Sequence, residues 1–326
     1  MLSNHWYLIC PEKELQKQII NRKILNEEII IFRNGQGAIT ALENRCCHRN
    51  VRLSLGYLDQ GQVVCGYHGW KYDSTGSCIH VPSQTAEAKI PKTARIKSYP
   101  VQVFNRWIWV FLGDAEQAAV IKPCNIPEMK EWNFTYQSYT FKADLELAAE
   151  SLVDPYHIAY AHRNSIKSLL GQIEESPANF NLQTVDDGLA GTYLRVNRST
   201  FFEKMYFGHD PYVTTRIRFY YPTISRLEIE FKKRTLLILE QIIKVDDDHV
   251  NMMQITLWKN IFSLFPAFAR YFMYRKSDKI VKEDIALLSS QADIIKRQGE
   301  NLAEVSVKGD EVSITFRKYW RKKMSE

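Results

Sequence analysis

Two short cysteine–histidine motifs restrict the fold of this chain more than any other sequence feature. Cys46 and His48 are separated by one residue, Cys65 and His68 by two, and sixteen residues lie between the motifs. Thiolate and imidazole are ligands of both zinc and iron–sulfur clusters. Two loops that each offer one thiolate and one imidazole are therefore predicted to converge on one metal centre. The spacing alone leaves three alternatives: a Cys2His2 zinc site, an iron–sulfur cluster, or no shared metal.

The first third of the chain has the pattern of a small β-domain. Short β-branched and aromatic runs alternate with turn residues, and Asn34-Gly35 is a hairpin signal. A Pro-containing segment, Pro123–Pro127, indicates a junction. We therefore predict an all-β domain over residues 1–118 and a second domain over 119–326. Strands are predicted at Ile29–Phe32, Ala38–Leu42, Gln62–Cys65 and Val101–Leu112.

The second domain has a mixed pattern that predicts an α+β fold. Residues 144–162 and 260–298 show helical spacing, whereas residues 190–258 contain long strand-like runs. We expect an antiparallel sheet packed against long helices, with a cavity between them. The cavity walls are predicted near residues 163–175, 200–240 and 260–275. Six aromatic residues are predicted to pack in the core: Phe201, Phe202, Tyr206, Phe207, Tyr220 and Tyr221.

Composition excludes several classes of protein. The net charge is +6, with no dense basic run that indicates nucleic-acid binding, although an acidic electron-transfer partner is compatible with it. The apolar stretch Asn260–Ala269 is far shorter than the ~20 residues that span a bilayer. We therefore expect a cytoplasmic protein with no membrane span. Six irregularly placed cysteines do not form a disulfide framework, and we expect Cys10, Cys78 and Cys124 to pack in the fold.

A second group of metal-ligand residue types follows the junction. Glu150, Asp154, His157 and His162 lie within thirteen residues. On a regular helix the two histidines would point ~140° apart, so they could not reach one ion. Pro155 removes a backbone donor and gives a reason for local irregularity. The residues by themselves leave a buried polar helix and a metal site as alternatives.

The motifs resemble those of a known family. Asn44–Arg49 and Cys65–Trp70 closely resemble the two signatures of Rieske domains, with Cys47 in place of the usual proline. The resemblance implies a Rieske [2Fe–2S] cluster, in which two cysteines hold one iron and two histidines hold the other. It implies that Cys46, His48, Cys65 and His68 are the cluster ligands.

The second group is similar to the Asp-x-x-His-x-x-x-x-His motif in the catalytic domain of Rieske non-haem iron oxygenases. By that resemblance, His157 and His162 belong to a facial triad with two histidines and one carboxylate. Lys282–Gln291 is similar to a late acidic segment of the family, which makes Asp284 the third ligand. Asp154 matches the family's bridging aspartate. Many relatives carry an asparagine just upstream, where this chain has Glu150 and Ser151.

The resemblance implies an oxygenase (alpha) component of the monooxygenase or demethylase branch. Its implied fold is an all-β Rieske domain followed by a helix-grip (START/Bet v1-like) catalytic domain. Its implied cofactors are the [2Fe–2S] cluster and a mononuclear Fe(II), with electrons from NAD(P)H through a separate ferredoxin or flavin reductase. Its implied partners are O2, a small organic substrate and two further copies in a homotrimer. No nucleic-acid partner is expected.

Three alternatives remain at this stage. Ring dihydroxylation is the alternative reaction within the oxygenase class. A Rieske electron-transfer or redox-sensing protein with a ligand-binding second domain would hold two irons per chain and no third. A Cys2His2 zinc protein with a lipid-binding-type second domain would be colourless, whereas a Rieske cluster is red-brown.

Overall fold

The computed structural model describes most of the chain. The described residues are 2–16, 18–85, 87–166, 180, 182–196, 212–231, 234–259, 266–299 and 302–326. They form two compact units, Leu2–Lys130 and Glu131–Glu326, which we call the N-terminal and C-terminal units. None of the helices in these residues has the length and apolar character needed to cross a bilayer.

The N-terminal unit is built from short antiparallel strands, as the sequence predicts. They form three sheets, with orders β1-β11-β10, β2-β3-β4-β9 and β5-β6-β7-β8. The strands are β1 His5–Pro11, β2 Ile20–Ile24, β3 Glu27–Arg33, β4 Ile39–Glu43, β5 Tyr57–Asp59, β6 Gln62–Val64, β7 Lys71–Tyr72, β8 Cys78–His80, β9 Ser98–Tyr99, β10 Val101–Phe104 and β11 Trp107–Leu112. Single 3-10 turns lie at Glu12–Glu14, Leu53–Leu55 and Ala115–Ala119, and a one-turn helix, α1, at Glu128–Glu131.

The predicted strand Val101–Leu112 is in fact a hairpin of β10 and β11. Asn105 and Arg106 form the turn, with φ angles of 52° and 70°. Two successive residues with positive φ make the tight turn whose twist matches paired strands. Arginine is uncommon at such a position, so these residues did not predict a turn.

The C-terminal unit contains one large antiparallel sheet. Its seven strands have the order β12-β18-β17-β16-β15-β14-β13. They are β12 Asn133–Lys142, β13 Gln183–Val185, β14 Gly188–Val196, β15 Tyr212–Tyr220, β16 Ile224–Phe231, β17 Arg234–Lys244 and β18 His249–Lys259. A turn at Asp246–Asp248 joins β17 to β18. The mixed α+β prediction is therefore confirmed.

A long helix, α4 (Pro266–Gln298), packs across the β12 and β18 side of the sheet. Proline suits the first turn of a helix because its missing N–H has no partner there in any case. Val281 and Leu288 of α4 pack with Met252 of the sheet in one buried cluster. This packing fixes the inner face of α4, which carries Asp284.

The predicted helix over residues 144–162 is divided in two. Helix α2 (Leu145–Ser151) begins at Asp144, whose side chain accepts the backbone N–H of Leu147. Helix α3 (His157–Ala161) follows after a break that contains Pro155. The break removes the restriction of a regular helix, so His157 and His162 can approach each other. A last helix, α5 (Glu311–Ser325), follows a 3-10 turn at Lys308–Asp310 and packs on α2.

Candidate metal centres

Two turns with the same hydrogen-bond pattern carry the cysteine–histidine motifs. The backbone N–H of Cys46 donates to the carbonyl of Val51 at 2.8 Å, and that of Cys65 to the carbonyl of Trp70 at 2.9 Å. In each turn the histidine lies inside the loop that this bond closes. Cys46 and Cys65 are buried in one core cluster of the N-terminal unit. The fold therefore brings the two motifs together.

The two imidazoles of the motifs are close and fixed in orientation. The ring centroids of His48 and His68 are 4.8 Å apart, and His48 stacks on Trp70 at 4.6 Å with 5° between the planes. Nδ1 of His48 is buried and has no hydrogen-bond partner. A buried ring nitrogen without a partner is costly unless it binds something else, and a metal ion fits that need.

The cysteine side of this site contains a hydroxyl group. Tyr72 Oη lies 3.1 Å from Cys46 Sγ and 3.3 Å from Cys47 Sγ, and it accepts the backbone N–H of Cys47 at 3.2 Å. Burial raises the pKa of the Cys65 thiol, and the neighbouring Cys46 adds to the effect. A metal bound there would act in the opposite direction, because it binds and stabilises the thiolate form.

A glycine allows the second loop to adopt its shape. Gly69 has a φ of +72°, in the left-handed region where a side chain is strained. A Cβ atom there would also lie 2.9 Å from Cγ of Pro82. The close approach of Pro82 covers the loop beside His68, so both the conformation and the packing require glycine.

The four ligand candidates fit a two-iron cluster better than one zinc ion. Among the residues that the structure describes, the set of three whose donor atoms would suit a single ion is His157, His162 and Asp284. The cysteine–histidine motifs contribute no such set. Two neighbouring thiols and two neighbouring imidazoles are the donors that a [2Fe–2S] cluster with two ligands per iron requires.

The second candidate site combines the break between α2 and α3 with the inner face of α4. The donor atoms of His157, His162 and Asp284 all lie within 4.8 Å of one another. Asp284 Oδ1 is 3.3 Å from His162 Nε2 and 3.8 Å from His157 Nε2. Two imidazoles and one carboxylate are the donor set of the facial triads that hold non-haem Fe(II).

The outer nitrogens of both histidines face carboxyl groups. His162 Nδ1 lies 3.1 Å from Glu283 Oε2, and Ser165 donates to the other oxygen of Glu283 at 2.7 Å. His157 Nδ1 lies 3.5 Å from Asp154 Oδ2, at the outer limit of a hydrogen bond. A carboxylate on the outer nitrogen fixes the tautomer that leaves Nε2 free to bind a metal.

Burial and charge together shift the protonation of these groups. Burial raises the pKa of Asp284 to about 7, with Glu240 and Glu283 acting in the same direction and His157 in the opposite one. Burial acts to lower the pKa of His157, but the carboxyls of Asp154 and Asp284 outweigh it and the pKa is raised. Burial and His157 together lower the pKa of His162.

A cavity of about 190 Å³ adjoins this site. Its walls are largely aliphatic side chains of β15–β18 and of α4, and His157, His162 and Asp284 lie at one side. The polar or charged lining residues beyond the three ligand candidates are Ser151, Asp154, Tyr193, Thr215, Glu240, Gln254, Thr256, Lys276 and Ser277. A mostly apolar cavity with few polar groups is the usual form of a small-molecule site.

The predicted cavity walls agree with the structure in part. Ile166 and residues of 213–240 and 272–273 line it, as predicted. Residues of 151–162, Tyr193 and residues of 252–256 and 276–284 also line it and lie outside the predicted ranges. Phe201, Phe202, Tyr206 and Phe207 lie outside the described residues. Tyr220 and Tyr221 are partly exposed and do not line the cavity. Cys78 packs in the core of the N-terminal unit, Cys10 is buried, and Cys124 is partly buried.

Three acidic residues have roles that differ from what their position in the sequence suggests. Glu150 does not line the cavity and instead pairs with Arg317 of α5. Glu283 contacts His162. The one sequence feature that could have predicted this contact is that Glu283 directly precedes Asp284. Glu240 lines the cavity from β17. A single acidic residue in a strand does not by itself predict a place in a binding site.

Comparisons with known proteins agree with both sites. A family model described as "Rieske [2Fe-2S] domain" matches residues 5–112. A second model, "Vanillate O-demethylase oxygenase C-terminal domain", matches residues 141–326. Both candidate sites fall inside the matched ranges.

Curated relatives and solved structures extend the comparison. The toluene-4-sulfonate monooxygenase system iron-sulfur subunit of Comamonas testosteroni is 33% identical over 171 residues, 51% of this chain and 48% of that protein. The vanillate O-demethylase oxygenase subunit of a Pseudomonas strain is 32% identical over 182 residues, 55% of this chain and 50% of that protein. The chain thus spans about half the length of the curated relatives it matches.

Solved structures match over nearly the whole chain. Dicamba monooxygenase bound to dicamba has a TM-score of 0.84 at 18% identity, over 99% of this chain and 97% of that one. A Pseudomonas putida NdmA mutant with theobromine has a TM-score of 0.76 at 22% identity, over 98% and 89%. At these identities the likeness shows the fold, with an N-terminal β-domain and a C-terminal domain built on one large antiparallel sheet.

Proposed function

Because the chain belongs to the family of Rieske oxygenases with a vanillate O-demethylase-type C-terminal domain, we propose that it is the oxygenase component of a monooxygenase. In this proposal it hydroxylates or oxidatively demethylates a small organic substrate with O2 and externally supplied electrons. The observation that carries the proposal is the convergence of His157, His162 and Asp284 beside a cavity, in a chain that also contains a Rieske domain.

The two centres have different tasks in this proposal. A bound [2Fe–2S] cluster would supply electrons one at a time, and a bound Fe(II) would supply O2 activation. Cys46, His48, Cys65 and His68 would hold the cluster. His157, His162 and Asp284 would hold the iron from one side and leave the cavity side open to O2 and substrate.

The remaining residues of the C-terminal site position its ligands. Glu283 and Asp154 face the outer nitrogens of the two histidines and hold the imidazoles in the binding tautomer. Aliphatic residues of the sheet and of α4 exclude water from the cavity and hold the substrate beside the iron ligands. The chain's own contribution is therefore orientation, tuning and exclusion of water.

The partners follow from the same proposal. The proposal includes electrons from NAD(P)H, delivered through a ferredoxin, a flavin reductase or both. A cyclic homotrimer in the cytoplasm is the assembly we propose, with Asp154 as the link to a cluster histidine of a neighbouring subunit. The named activities of the relatives, demethylation of vanillate and monooxygenation of toluene-4-sulfonate, support monooxygenation over ring dihydroxylation.

Two matched variants test the proposal. Anaerobically prepared protein is expected to contain three irons per chain and no zinc. His157→Ala should lose one iron and all product formation, while it keeps the visible and EPR signals of the cluster. Cys65→Ser should lose those signals. Two irons per chain in the native protein would support an electron-transfer protein instead, and zinc at Cys46 and Cys65 would exclude the cluster.

A further inference from the structure

Four polar side chains lie side by side across the sheet, and two of them, Glu240 and Gln254, line the cavity. Gln137 of β12 is paired directly with Gln254 of β18, Gln254 with Glu240 of β17, and Glu240 with Ser225 of β16. The neighbouring positions on the same face of β17 are Ile238 and Ile242. A row of this kind in a core has a cost, because buried polar groups need partners.

Glu240 is the ionisable member of this row. Gln254 Nε2 donates to Glu240 Oε1 at 2.8 Å. Within the described residues, no Lys, Arg or His nitrogen lies within ion-pair distance of Glu240, and its second carboxyl oxygen has no protein partner. Glu240 lines the cavity, so the second oxygen is available to a ligand there. Burial raises the pKa of this carboxyl.

Glu240 lies outside the set of three ligand candidates, although its carboxyl interacts electrostatically with His157 and Asp284. A bound Fe(II) brings two positive charges, whereas Asp284, Asp154 and Glu283 already surround its histidines. A buried carboxylate without a paired cation lowers stability, since its desolvation is not repaid. Perturbed acids in a cavity of this kind concentrate at functional sites.

Two further polar atoms at the cavity wall also have no partner. Oε1 of Gln254 and Oγ1 of Thr215 are buried, unbonded, and belong to lining residues. Gln254 is 3% exposed and Thr215 is 1% exposed. Oε1 of Gln254 can only accept a hydrogen bond, as can an ionised Glu240, whereas the hydroxyl of Thr215 can accept or donate. Among the lining residues that the structure describes, Lys276 of α4 is the one cation, and its Nζ lies 6.0 Å from the ring centre of Phe272.

We propose that Glu240, held by Gln254, binds an amine or other N–H donor group of the substrate, whose apolar body lies against the aliphatic wall. This substrate class rests on the proposed oxygenase function and makes it more specific. An engineered apolar cavity of about 150 Å³ holds benzene, so a cavity of about 190 Å³ suits a small ring system with one such substituent. Glu240 is a binding residue in this proposal and takes no part in the chemistry.

The test compares three probes of nearly equal shape: benzylamine, benzyl alcohol and benzoate. Binding to the anaerobic, iron-loaded full chain is measured by calorimetry, without turnover. We expect benzylamine to bind about tenfold or more tightly than benzyl alcohol, because a hydrogen bond to a charged group has that value. Glu240→Gln should weaken benzylamine binding about tenfold and leave benzyl alcohol within about twofold.

A second measurement separates binding from a structural role. If Glu240 serves a ligand, Glu240→Gln should raise the melting temperature of the ligand-free protein, because a buried charge without a partner is removed. If the bond to Gln254 is structural, the melting temperature should fall. Glu230→Gln is the matched control, since Glu230 lies exposed on β16, outside the cavity, in a surface ion pair with Arg216. It should leave benzylamine binding unchanged and lower the melting temperature by no more than loss of a surface ion pair does.

The possible outcomes are distinct. Tightest binding by benzoate, no binding by any probe, an unchanged benzylamine affinity in Glu240→Gln or a lower melting temperature would each overturn the proposal. Loss of iron from Glu240→Gln would assign Glu240 to the iron site and overturn it as well. None of these results contradicts the proposed oxygenase function, which is tested by the iron content and turnover of the native chain.

Discussion

Oδ1 of Asp284 lies 3.3 Å from Nε2 of His162, although most of the large sheet separates the two residues in the sequence. The contact exists because α4 packs on the sheet with Val281 and Leu288 buried, which turns Asp284 towards α3. The geometry of the proposed iron site thus depends on how α4 packs against the sheet.

Asp284→Asn should remove most of the iron affinity of the C-terminal site. The amide has no negative charge and is a poorer ligand for a hard dication than a carboxylate. We expect the iron affinity to fall by more than about tenfold. Removal of a residue that only orients a ligand already lowers metal affinity by about tenfold, and Asp284 is a proposed direct ligand. Iron content after dialysis against a weak chelator measures it, with the EPR signal of the cluster unchanged. Asp293→Asn, an exposed position on the same helix, is the control.

Glu283→Ala should weaken the same site through His162. Without Glu283 the Nδ1 atom of His162 loses its partner, and removal of such outer contacts reduces metal affinity or activity by about 10–100-fold. Glu283→Gln keeps an acceptor oxygen and should recover part of the loss. Equal iron retention by native protein and Glu283→Ala would contradict an orienting role for this residue.

Tyr72→Phe should lower the reduction potential of the cluster. The hydroxyl lies beside the sulfur atoms of Cys46 and Cys47, and hydrogen bonds to ligand sulfur stabilise the reduced state. A difference of about 1 kcal/mol corresponds to roughly 40 mV for one electron. An EPR-monitored redox titration measures the shift. Tyr99→Phe removes a hydroxyl bound to Glu27 instead and should leave the potential unchanged.

Arg317→Ala should destabilise the C-terminal unit. Arg317 of α5 pairs with Glu150 of α2, and both side chains are mostly buried, with exposed fractions of 23% and 14%. Removal of the arginine leaves a carboxylate without its partner, which we expect to cost about 2–3 kcal/mol. Urea unfolding monitors the change.

A surface ion pair provides the comparison for Arg317. Arg52 pairs with Glu28, but its side chain is 62% exposed, so Arg52→Ala should cost less than about 1 kcal/mol. If both variants lose a similar free energy of unfolding, the ion pair between α2 and α5 contributes no more to stability than a surface ion pair does. A double variant with Glu150→Gln should recover part of the stability if the unpaired charge is the cause.

The sequence by itself determined the β-rich first third, the mixed second part and the identity of two cysteine–histidine motifs. These features are local, because ligand type, ligand spacing and turn residues lie within a few positions of each other. The roles of the ligand candidates stay predictions, although the structure brings His157, His162 and Asp284 together as the resemblance implied.

Only the tertiary structure decided which of many acidic residues surround the C-terminal site. Glu150 looked close to the histidines along the chain but turns to Arg317, whereas Glu240 and Glu283 come from β17 and α4. The break at Pro155 and the pairing of β17 with β18 set these positions. Contacts between residues distant in the sequence arise from the packing of whole elements, and no local pattern records which face of a strand or helix that packing turns inward.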